Sequence, residues 1–297
     1  MTVIAKTIRY RLVQRVKEES FDVNALADYG LHLQVSYDRF RFCIASAAQN
    51  RTLWLEDYAL EEVHSSEGLL EQLEALFDNH AVLKAGFWGQ VKLSLPSQGF
   101  SLVPTSLYDD ARQEQYLRLL FPLDRDAYEI RAYHHIGLDI INTFSAEKQL
   151  VRWFEAMYPQ QQLQVMHSVS PLIEGVLRQE GKTEGKQLFV NVEKQRFDVV
   201  AMQGKHLELC NQFSYTNEVD FVYFIMFVID EMKFNPETDR LVLWGEILPD
   251  SAIYNKVYRY VRHVTFGKRP SALKFGYVFD EVFDHRYFDL FSMHFCG

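Results

Sequence analysis

Two stretches of the chain repeat each other at long range. Residues 31–40 have the sequence Leu-His-Leu-Gln-Val-Ser-Tyr-Asp-Arg-Phe, and residues 188–197 have Leu-Phe-Val-Asn-Val-Glu-Lys-Gln-Arg-Phe. The offset is 188 − 31 = 157 residues, over half of the 297-residue chain. Each copy predicts an apolar strand, a short polar turn and a second strand that begins at Arg-Phe. A period this long is typical of two similar domains, since arrays of short repeats have periods of roughly 20–50 residues.

The composition excludes several classes of protein. Apolar residues make up 48% of the chain and aromatic residues 14%, which predicts large cores rather than disorder. The net charge of 31 − 40 = −9 disfavours a surface that follows nucleic-acid phosphates. The three cysteines, Cys43, Cys210 and Cys296, are odd in number and lack metal-ligand spacing, so we expect a reduced, cytoplasmic setting. We expect Cys43 to be buried and inert, and Cys296 is a candidate for an exposed, oxidisable thiol.

No leader peptide or membrane span is expected. The first thirteen residues lack a continuous apolar stretch and carry three basic residues. The most apolar run, residues 221–229, is nine residues long and lies between Asp220 and Asp230. A membrane-spanning helix needs about 20 apolar residues, so this run predicts a buried helix.

The order of predicted elements is similar in the two halves. In the first half, Ser66 is a predicted N-cap, and the segments 90–95 and 99–103 are predicted strands joined by a turn. Ser145 is predicted to cap a helix that Pro159 ends, and Ser170-Pro171 to open another. Further predicted strands lie near 31–36, 40–46, 52–58, 128–134, 163–166, 187–193, 196–202, 205–211, 240–244, 263–266 and 273–279. Predicted helices lie near 66–79, 108–119, 146–158, 171–180, 217–233 and 251–260.

A linker is predicted at residues 181–185, Gly-Lys-Thr-Glu-Gly, because two glycines flank polar residues there. It divides the chain into a first domain, 1–182, which includes a connecting helix, and a second domain, 183–297. The C-terminal segment could pack back on the first domain. The order of strands and helices predicts an α/β protein with mixed sheets covered by helices in both halves.

This order resembles the actin-like ATPase fold, which doubles a ribonuclease-H-like domain. The order of helix, short strand and connecting helix before the second hairpin is similar to that of bacterial actin-like proteins of cell division and type IV pilus assembly. More narrowly, the whole chain resembles an uncharacterised bacterial family of this length, which has no established activity. The segments that carry the resemblance are 100–107, 188–192, 211–213, 220–223 and 244–247, together with the near-terminal Cys296.

The resemblance implies where a nucleotide would bind, and those positions are altered here. An active member has a motif like Asp-x-Gly-x-x-(Ser/Thr/Lys) in each hairpin turn. The glycine closes on phosphate, and the aspartate organises a magnesium ion and the attacking water. In the first hairpin Gln34 and Ser36 stand at the aspartate and glycine positions. In the second, Asn191 and Glu193 stand there, so both carboxylates are amides and both glycines have gained side chains.

The remaining nucleotide signature is also reduced. A Gly-Gly turn that receives adenosine corresponds to Gly245-Glu246. Glu193 places a negative charge where a phosphate would lie, and like charges a few ångströms apart repel by about 1–4 kcal/mol at effective dielectric constants of 80 to 20. We therefore expect no ATPase activity and no cofactor. Binding of magnesium-ATP without turnover, through Ser36, Tyr37 and Asp38, is the alternative.

Other motifs do not predict catalysis. Ribonuclease-H-type chemistry needs clustered carboxylates on two metal ions, which Gln34 cannot begin, and Asp38 is interpreted as a turn residue. Adjacent His134 and His135 point to opposite faces of a strand, so we expect no metal site. Ser145-x-x-Lys148 has the form found in some acyl-enzyme hydrolases, but a helix N-cap explains it.

These observations favour a non-catalytic module that binds a protein partner. The last segment holds many aromatic residues, and those left exposed would be candidate contacts. They are Phe275, Tyr277, Phe279, Phe283, Tyr287, Phe288, Phe291 and Phe295. One local basic cluster could instead contact RNA, although a solvated helix end is the ordinary interpretation. Its members are Arg259, Arg262, His263, Lys268 and Arg269.

Overall fold

A computed structural model describes residues 8–97, 99–118, 120–179 and 185–297. The strands in chain order are β1 Tyr10–Lys17, β2 Tyr29–Val35, β3 Arg39–Ser46, β4 Arg51–Leu60, β5 Gln90–Leu95, β6 Phe100–Pro104, β7 Tyr128–His135, β8 Ile140–Glu147, β9 Gln164–His167, β10 Lys186–Val192, β11 Arg196–Gln203, β12 His206–Ser214, β13 Arg240–Gly245 and β14 His263–Phe266. The α-helices are α1 Ser66–Asp78, α2 Gln113–Arg118, α3 Lys148–Met157, α4 Val169–Leu177, α5 Glu218–Glu231, α6 Ala252–Val257 and α7 Phe288–Ser292. Most of the predicted linker, residues 181–184, lies outside the described residues.

The chain forms two compact units. The first contains the chain up to His134, residues 141–168 and residues 273–279. The second contains residues 135–140, 169–272 and 280–297. The first unit holds a six-stranded sheet of order β1-β4-β3-β2-β5-β9, and the second a five-stranded sheet of order β12-β11-β10-β13-β14. A separate three-stranded sheet has the order β6-β8-β7.

The two hairpins that the repeat predicts have the same register. Val35 faces Phe40 in the first hairpin, and Val192 faces Phe197 in the second. Each residue of the second pair lies 157 positions after its counterpart, because 192 − 35 and 197 − 40 both equal 157. In both units the first strand of the hairpin also pairs in parallel with a later strand, β5 or β13. The shared polar turn therefore emerges at the same position of each sheet.

Each unit buries the apolar side of its own helices. In the first unit, α1 buries Leu69, Leu73 and Phe77, and the Phe77 ring lies 5.7 Å from the ring of Phe40 in β3. The capping residue is Ser65, whose side chain accepts from the Gly68 amide, so the predicted cap at Ser66 is off by one residue. The cap at Ser65 leaves the Ser66 hydroxyl to bond elsewhere.

In the second unit, one face of the sheet packs against α5 and α6. Phe221, Ile225 and Val228 of α5 lie in the same core as Val190 and Leu243 of the sheet. Asn217 caps α5 by accepting from the amides of residues 219 and 220. No helix among the described residues combines the length and apolar composition that crossing a membrane requires.

Three predicted elements differ from the structure. Ser145 lies inside β8, and α3 begins after Glu147 without a side-chain cap, so Ser145 is not an N-cap. The strands β5 and β6 lie in different sheets and do not form a hairpin. The segment 273–279 makes one isolated bridge, between Lys274 and Arg51, because the Gly276 amide donates to the Glu18 carboxylate instead of to a strand (2.7 Å).

Candidate functional site

The turn of the first hairpin is closed by its own hydrogen bonds. The Ser36 amide donates to the Arg39 carbonyl over 2.8 Å, and its hydroxyl donates to the Asp38 carboxylate over 2.7 Å. Asp38 therefore acts as a turn residue, as the sequence predicts. Gln34 is buried in β2, where its register partners are Arg41 and Ser94 on the two neighbouring strands.

Tyr37, at the tip of this turn, is held by two other elements. Its hydroxyl donates to the Glu147 carboxylate (2.6 Å) and lies 3.0 Å from the Ser66 hydroxyl. The Ser66 hydroxyl donates to the second oxygen of Glu147 over 2.7 Å. Burial, followed by the hydrogen bond to Glu147, raises the pKa of Tyr37 to about 12, so the phenol stays neutral at physiological pH.

Electrostatics at this turn are unfavourable for a phosphate. The carboxylates of Asp38 and Glu147 both bond to groups of the turn, and Arg39, the adjacent cation, lies 3.1 Å from Asp57. Sequence reasoning missed Glu147, because a single glutamate at a helix start carries no motif. The sequence predicts Ser66 as a helix cap, and a capping hydroxyl would not be expected to bond to Glu147.

The second hairpin also presents negative charge. The Glu193 amide donates to the Arg196 carbonyl over 2.8 Å, and the Tyr215 hydroxyl donates to the Glu193 carbonyl over 2.6 Å. Burial, with the charges of Glu193 and Glu246, raises the pKa of Tyr215 to about 12. The charges of two carboxylates therefore act on Tyr215, whose hydroxyl lies against this turn.

Asn191 lies beneath this turn in an unusual environment. Its side chain is 1% exposed, and neither amide atom has a hydrogen-bond partner among the residues that the structure describes. Its register partner Asp198 is also buried and accepts a hydrogen bond from Gln212 (2.7 Å). A buried polar group without a partner destabilises the fold by about 1–3 kcal/mol, so the side chain of Asn191 lowers the stability of the second unit.

Asp198→Asn is expected to stabilise the protein at neutral pH. Burial raises the pKa of Asp198 from 3.8 to about 6, opposed by Arg196 and Gln212 and assisted by Glu193 and Asp289. The folded protein thus holds a proton that the unfolded chain releases, so this group's contribution to stability falls as pH rises from about 4 to 6. At pH 8 the variant should be more stable by about 3 kcal/mol, since the pKa is raised by about two units and one pKa unit corresponds to about 1.4 kcal/mol.

Urea unfolding at pH 8 and pH 4 measures this effect. The gain should be largest at pH 8 and mostly gone at pH 4, because there the wild-type carboxyl is already protonated in the fold. Asp280→Asn is the matched control, since Asp280 is exposed in the same unit. An equal gain at both pH values would refute the assignment to titration of Asp198.

Gly245, which the sequence resemblance places at an adenosine signature, has a structural role. Its φ of +89° lies in the region that favours glycine, and a Cβ there would lie 2.1 Å from the Val192 carbonyl oxygen. The next residue, Glu246, donates its amide to that same carbonyl over 2.6 Å, and the Gly245 amide donates to the His285 carbonyl over 2.8 Å. The glycine is needed for this close approach, with or without a nucleotide.

The other sequence candidates lie apart from these hairpin turns. His134 is exposed, whereas His135 is buried against the Glu174 carboxylate (2.8 Å), so the two point to opposite faces. The Ser145 hydroxyl bonds to the Ser97 hydroxyl (2.6 Å), and Lys148 donates to a backbone carbonyl. Within the described residues, no group of three or more His, Cys, Asp or Glu side chains is placed to hold a metal ion.

Two cysteines are buried, and two residues of the basic cluster are engaged in ion pairs. Cys43 and Cys296 are both buried, so the expectation of an exposed thiol at Cys296 is wrong: Cys296 follows a helical turn in which Met293 is buried, and its thiol lies 3.9 Å from the Ser292 carbonyl oxygen. Burial, with the charge of Asp198, raises the pKa of the Cys210 thiol well above its usual value. In the basic cluster, Arg262 pairs with Glu237 (3.1 Å) and Arg269 with Asp284 (3.3 Å).

Of the C-terminal aromatic residues, most are at least partly covered. Tyr287, Phe288 and Phe291 are buried in the second unit. Tyr277 and Phe283 are exposed. The larger exposed apolar group lies elsewhere, on α5.

Solved structures show the same fold. A Bacteroides thetaiotaomicron VPI-5482 protein with actin-like ATPase fold and unknown function matches 93% of this chain and 99% of its own, with TM-score 0.78 and 19% identity. A structure of the PilM-PilN type IV pilus biogenesis complex matches over 89% and 96%, with TM-score 0.53 and 11% identity. The ethanolamine utilization protein EutJ from Carboxydothermus hydrogenoformans matches over 91% and 90%, with TM-score 0.50 and 6% identity.

These likenesses confirm the fold that the sequence predicts. No curated protein matches the sequence. A family model described as "Protein of unknown function (DUF3822)" matches residues 18–264. The chain therefore belongs to the DUF3822 family and has the actin-like ATPase fold.

Proposed function

We propose that this protein is a non-catalytic actin-like module that binds a protein partner through α5. The observation that carries the proposal is an exposed apolar stripe on that helix. Val219, Tyr223 and Phe227 are 60%, 65% and 49% exposed, and they recur every four residues. Residues at this spacing lie on one side of a helix, so the three side chains form a continuous apolar surface.

The stripe is separate from the core side of the helix. Phe221, Ile225 and Val228 face the sheet and are buried, so the exposed residues add nothing to the core of their own unit. Contiguous apolar surface with a polar border is typical of protein–protein interfaces, and tyrosine and phenylalanine are enriched there.

Charges at the ends of the stripe indicate what the partner looks like. Glu218 and Asp220 lie in the first turn of α5, and Asp230 and Glu231 in the last. Glu218 pairs with Lys256 and Asp230 with Lys233, so Asp220 and Glu231 carry the remaining negative charge, one at each end. The partner should therefore present apolar side chains bordered by basic residues, as an amphipathic helix laid along α5 would.

The geometry of the hairpins supports the non-catalytic part of the proposal. Carboxylates lie at both turns that would approach phosphate, and the retained Gly245 is explained by its contact with Val192. PilM, which shares the fold, is in a complex with PilN. That likeness supports an actin-like fold serving as a docking module here.

Tyr223→Lys is expected to abolish partner binding. The lysine places a charge in the centre of the apolar stripe, beside a partner that is itself basic, so affinity should fall at least roughly tenfold. The partner is first captured from the native host with tagged wild-type protein. It is then purified, and its affinity for each variant is measured by calorimetry. Tyr260→Lys is the control, since Tyr260 is 54% exposed and lies outside α5.

Two outcomes would refute this proposal. Equal affinity of the Tyr223→Lys and Tyr260→Lys variants would place the interface away from α5. A rise in melting temperature with millimolar magnesium-ATP would favour the alternative, a nucleotide-binding protein without turnover. A ligand at 100 times its dissociation constant adds about 2.7 kcal/mol. We expect no such rise.

A further inference from the structure

A cavity of about 520 Å³ lies on the second unit's sheet, on the face opposite α5. Strand register places its lining in rows. Gln187, Arg240 and His263 are neighbours in the first row. Phe189, Val242 and Thr265 form the next row, where side chains point to the same face because two residues separate the rows along each strand.

The floor of the cavity is apolar and firmly packed. The rings of Phe189 and Trp244 stack with centroids 5.5 Å apart, and Trp244 stacks on Phe288 at 3.9 Å. The Trp244 indole nitrogen donates to the Lys268 carbonyl over 3.1 Å. A Cβ at Gly267 would lie 2.1 Å from this indole, so the ring is also held from the strand side. A floor fixed in this way is preformed for a ligand.

The rim carries donors that nothing in the described part of the chain uses. Arg240, His263 and Lys268 are exposed, and their side chains have no ion pair or hydrogen bond to described residues. The Gln187 side chain is 7% exposed and likewise makes no hydrogen bond there, and the buried amide nitrogen of Gln179 has no described partner. Arg262 and Arg269, which lie outside the cavity, pair by contrast with Glu237 and Asp284.

We propose that this cavity binds a small organic anion with a flat apolar body. The acidic oxygens would lie against Arg240 and His263 and accept from the Gln187 amide, and the body would lie on Val242 and Phe189. The volume falls within the range of about 300–1,000 Å³ that is usual for small-molecule sites. A small ion such as phosphate would contact the donors of the rim but leave the apolar floor uncovered, so we expect a larger ligand. This site is independent of the interface proposed on α5.

Two fluorescent probes that share a ring system test the proposal. 8-Anilinonaphthalene-1-sulfonate carries an anionic group, and N-phenyl-1-naphthylamine does not. Titrations are performed in the Tyr223→Glu background, whose negative charge in the exposed stripe of α5 repels the anionic probe from that competing surface. Charge-assisted hydrogen bonds contribute about 1.5–3 kcal/mol, so Arg240→Gln should weaken the anionic probe roughly tenfold or more. Its effect on the uncharged probe should be small.

Two further variants make the result decisive. Arg259→Gln, an exposed arginine outside the cavity, should bind the anionic probe as the background protein does. Val242→Glu places a carboxylate on the floor and should abolish binding of both probes in the cavity. Unchanged affinity for the anionic probe in Arg240→Gln, or tighter binding of the uncharged probe than of the anionic one, would overturn the proposal.

Discussion

Gly245→Ala is expected to lower the free energy of unfolding by about 3–5 kcal/mol. A non-glycine residue in the left-handed region costs roughly 1–2 kcal/mol. The new methyl group would also lie 2.1 Å from the Val192 carbonyl oxygen, a distance that forces β13 away from β10. That movement breaks the hydrogen bond from the Glu246 amide to Val192, worth about 1 kcal/mol, and loosens packing nearby.

The chain offers a matched control for this substitution. Gly204 also has a positive φ, of +58°, but a Cβ there meets nothing within 4 Å. Gly204→Ala should therefore show the backbone cost alone, about 1–2 kcal/mol. Urea unfolding of both variants at pH 7 separates the two contributions. Equal losses would mean that the contact with Val192 is relieved easily and that Gly245 has another role.

This experiment bears on function as well as stability. A glycine that survives in a degraded nucleotide motif could be taken as a trace of nucleotide binding. If Gly245→Ala unfolds far more easily than Gly204→Ala, folding alone accounts for the glycine. The motif then supplies no argument for nucleotide binding.

Glu56→Ala is expected to lower the free energy of unfolding by about 2–4 kcal/mol, because a buried donor that loses its acceptor costs about 1–3 kcal/mol. The ion pair with Arg15 adds little, since the Arg15 side chain is half-exposed. Glu56 is completely buried in β4, and its carboxylate accepts from Arg15 (2.5 Å), Trp54 (3.0 Å) and the Tyr58 hydroxyl. His80 lies 3.1 Å from its second oxygen. Alanine leaves these donors without their acceptor and opens a cavity.

The pH dependence of this loss has a defined sign. Burial by itself raises the pKa of Glu56, but bonds from His80, Tyr58 and Arg15 outweigh it, so the pKa lies below its usual value of 4.5. A lowered pKa means that the carboxylate stabilises the fold above pH 4.5 and that this contribution is lost as pH falls through the folded pKa. The cost of Glu56→Ala, measured by urea unfolding, should therefore be smaller in acid than at pH 7.

Glu61→Ala is the control for Glu56. Glu61 directly follows β4, the strand that contains Glu56, and pairs with Arg11 over 3.6 Å, but both side chains are largely exposed. Exposed ion pairs contribute about 0–1 kcal/mol, so this variant should unfold almost as the wild type does. A loss at Glu61 similar to that at Glu56 would contradict the dependence on burial.

Three elements could not be predicted correctly from the sequence, because the residues that they contact are distant along the chain. The sequence does not predict β1, because β1 is an edge strand in which Val16 is the one buried residue, so it shows no clear alternation of apolar residues. Ser145 has the composition of a helix cap, yet its hydroxyl bonds to Ser97, 48 residues away. The apolar segment 273–279 suggested a strand, but the Glu18 carboxylate takes up the Gly276 amide. None of these partners is visible from local sequence.

Some residues of the candidate sites could be predicted from the sequence and others could not. The altered hairpin positions could be located from the repeat, whereas Glu147 and the row formed by Gln187, Arg240 and His263 could not. Those three residues lie on different strands and meet through sheet register. Their spacing along the chain does not indicate that they are neighbours in the sheet.

Local sequence, then, was sufficient for the two hairpins and their common register, and it places amides, Gln34 and Asn191, where the resemblance implies carboxylates. These follow from local alternation and turn chemistry, which act between residues a few positions apart. Tertiary structure decided which strands joined β6-β8-β7, why Gly245 is required and that Arg240, His263 and Lys268 line one cavity. Those outcomes depend on burial and on contacts between distant residues, which exist once the sheets have formed.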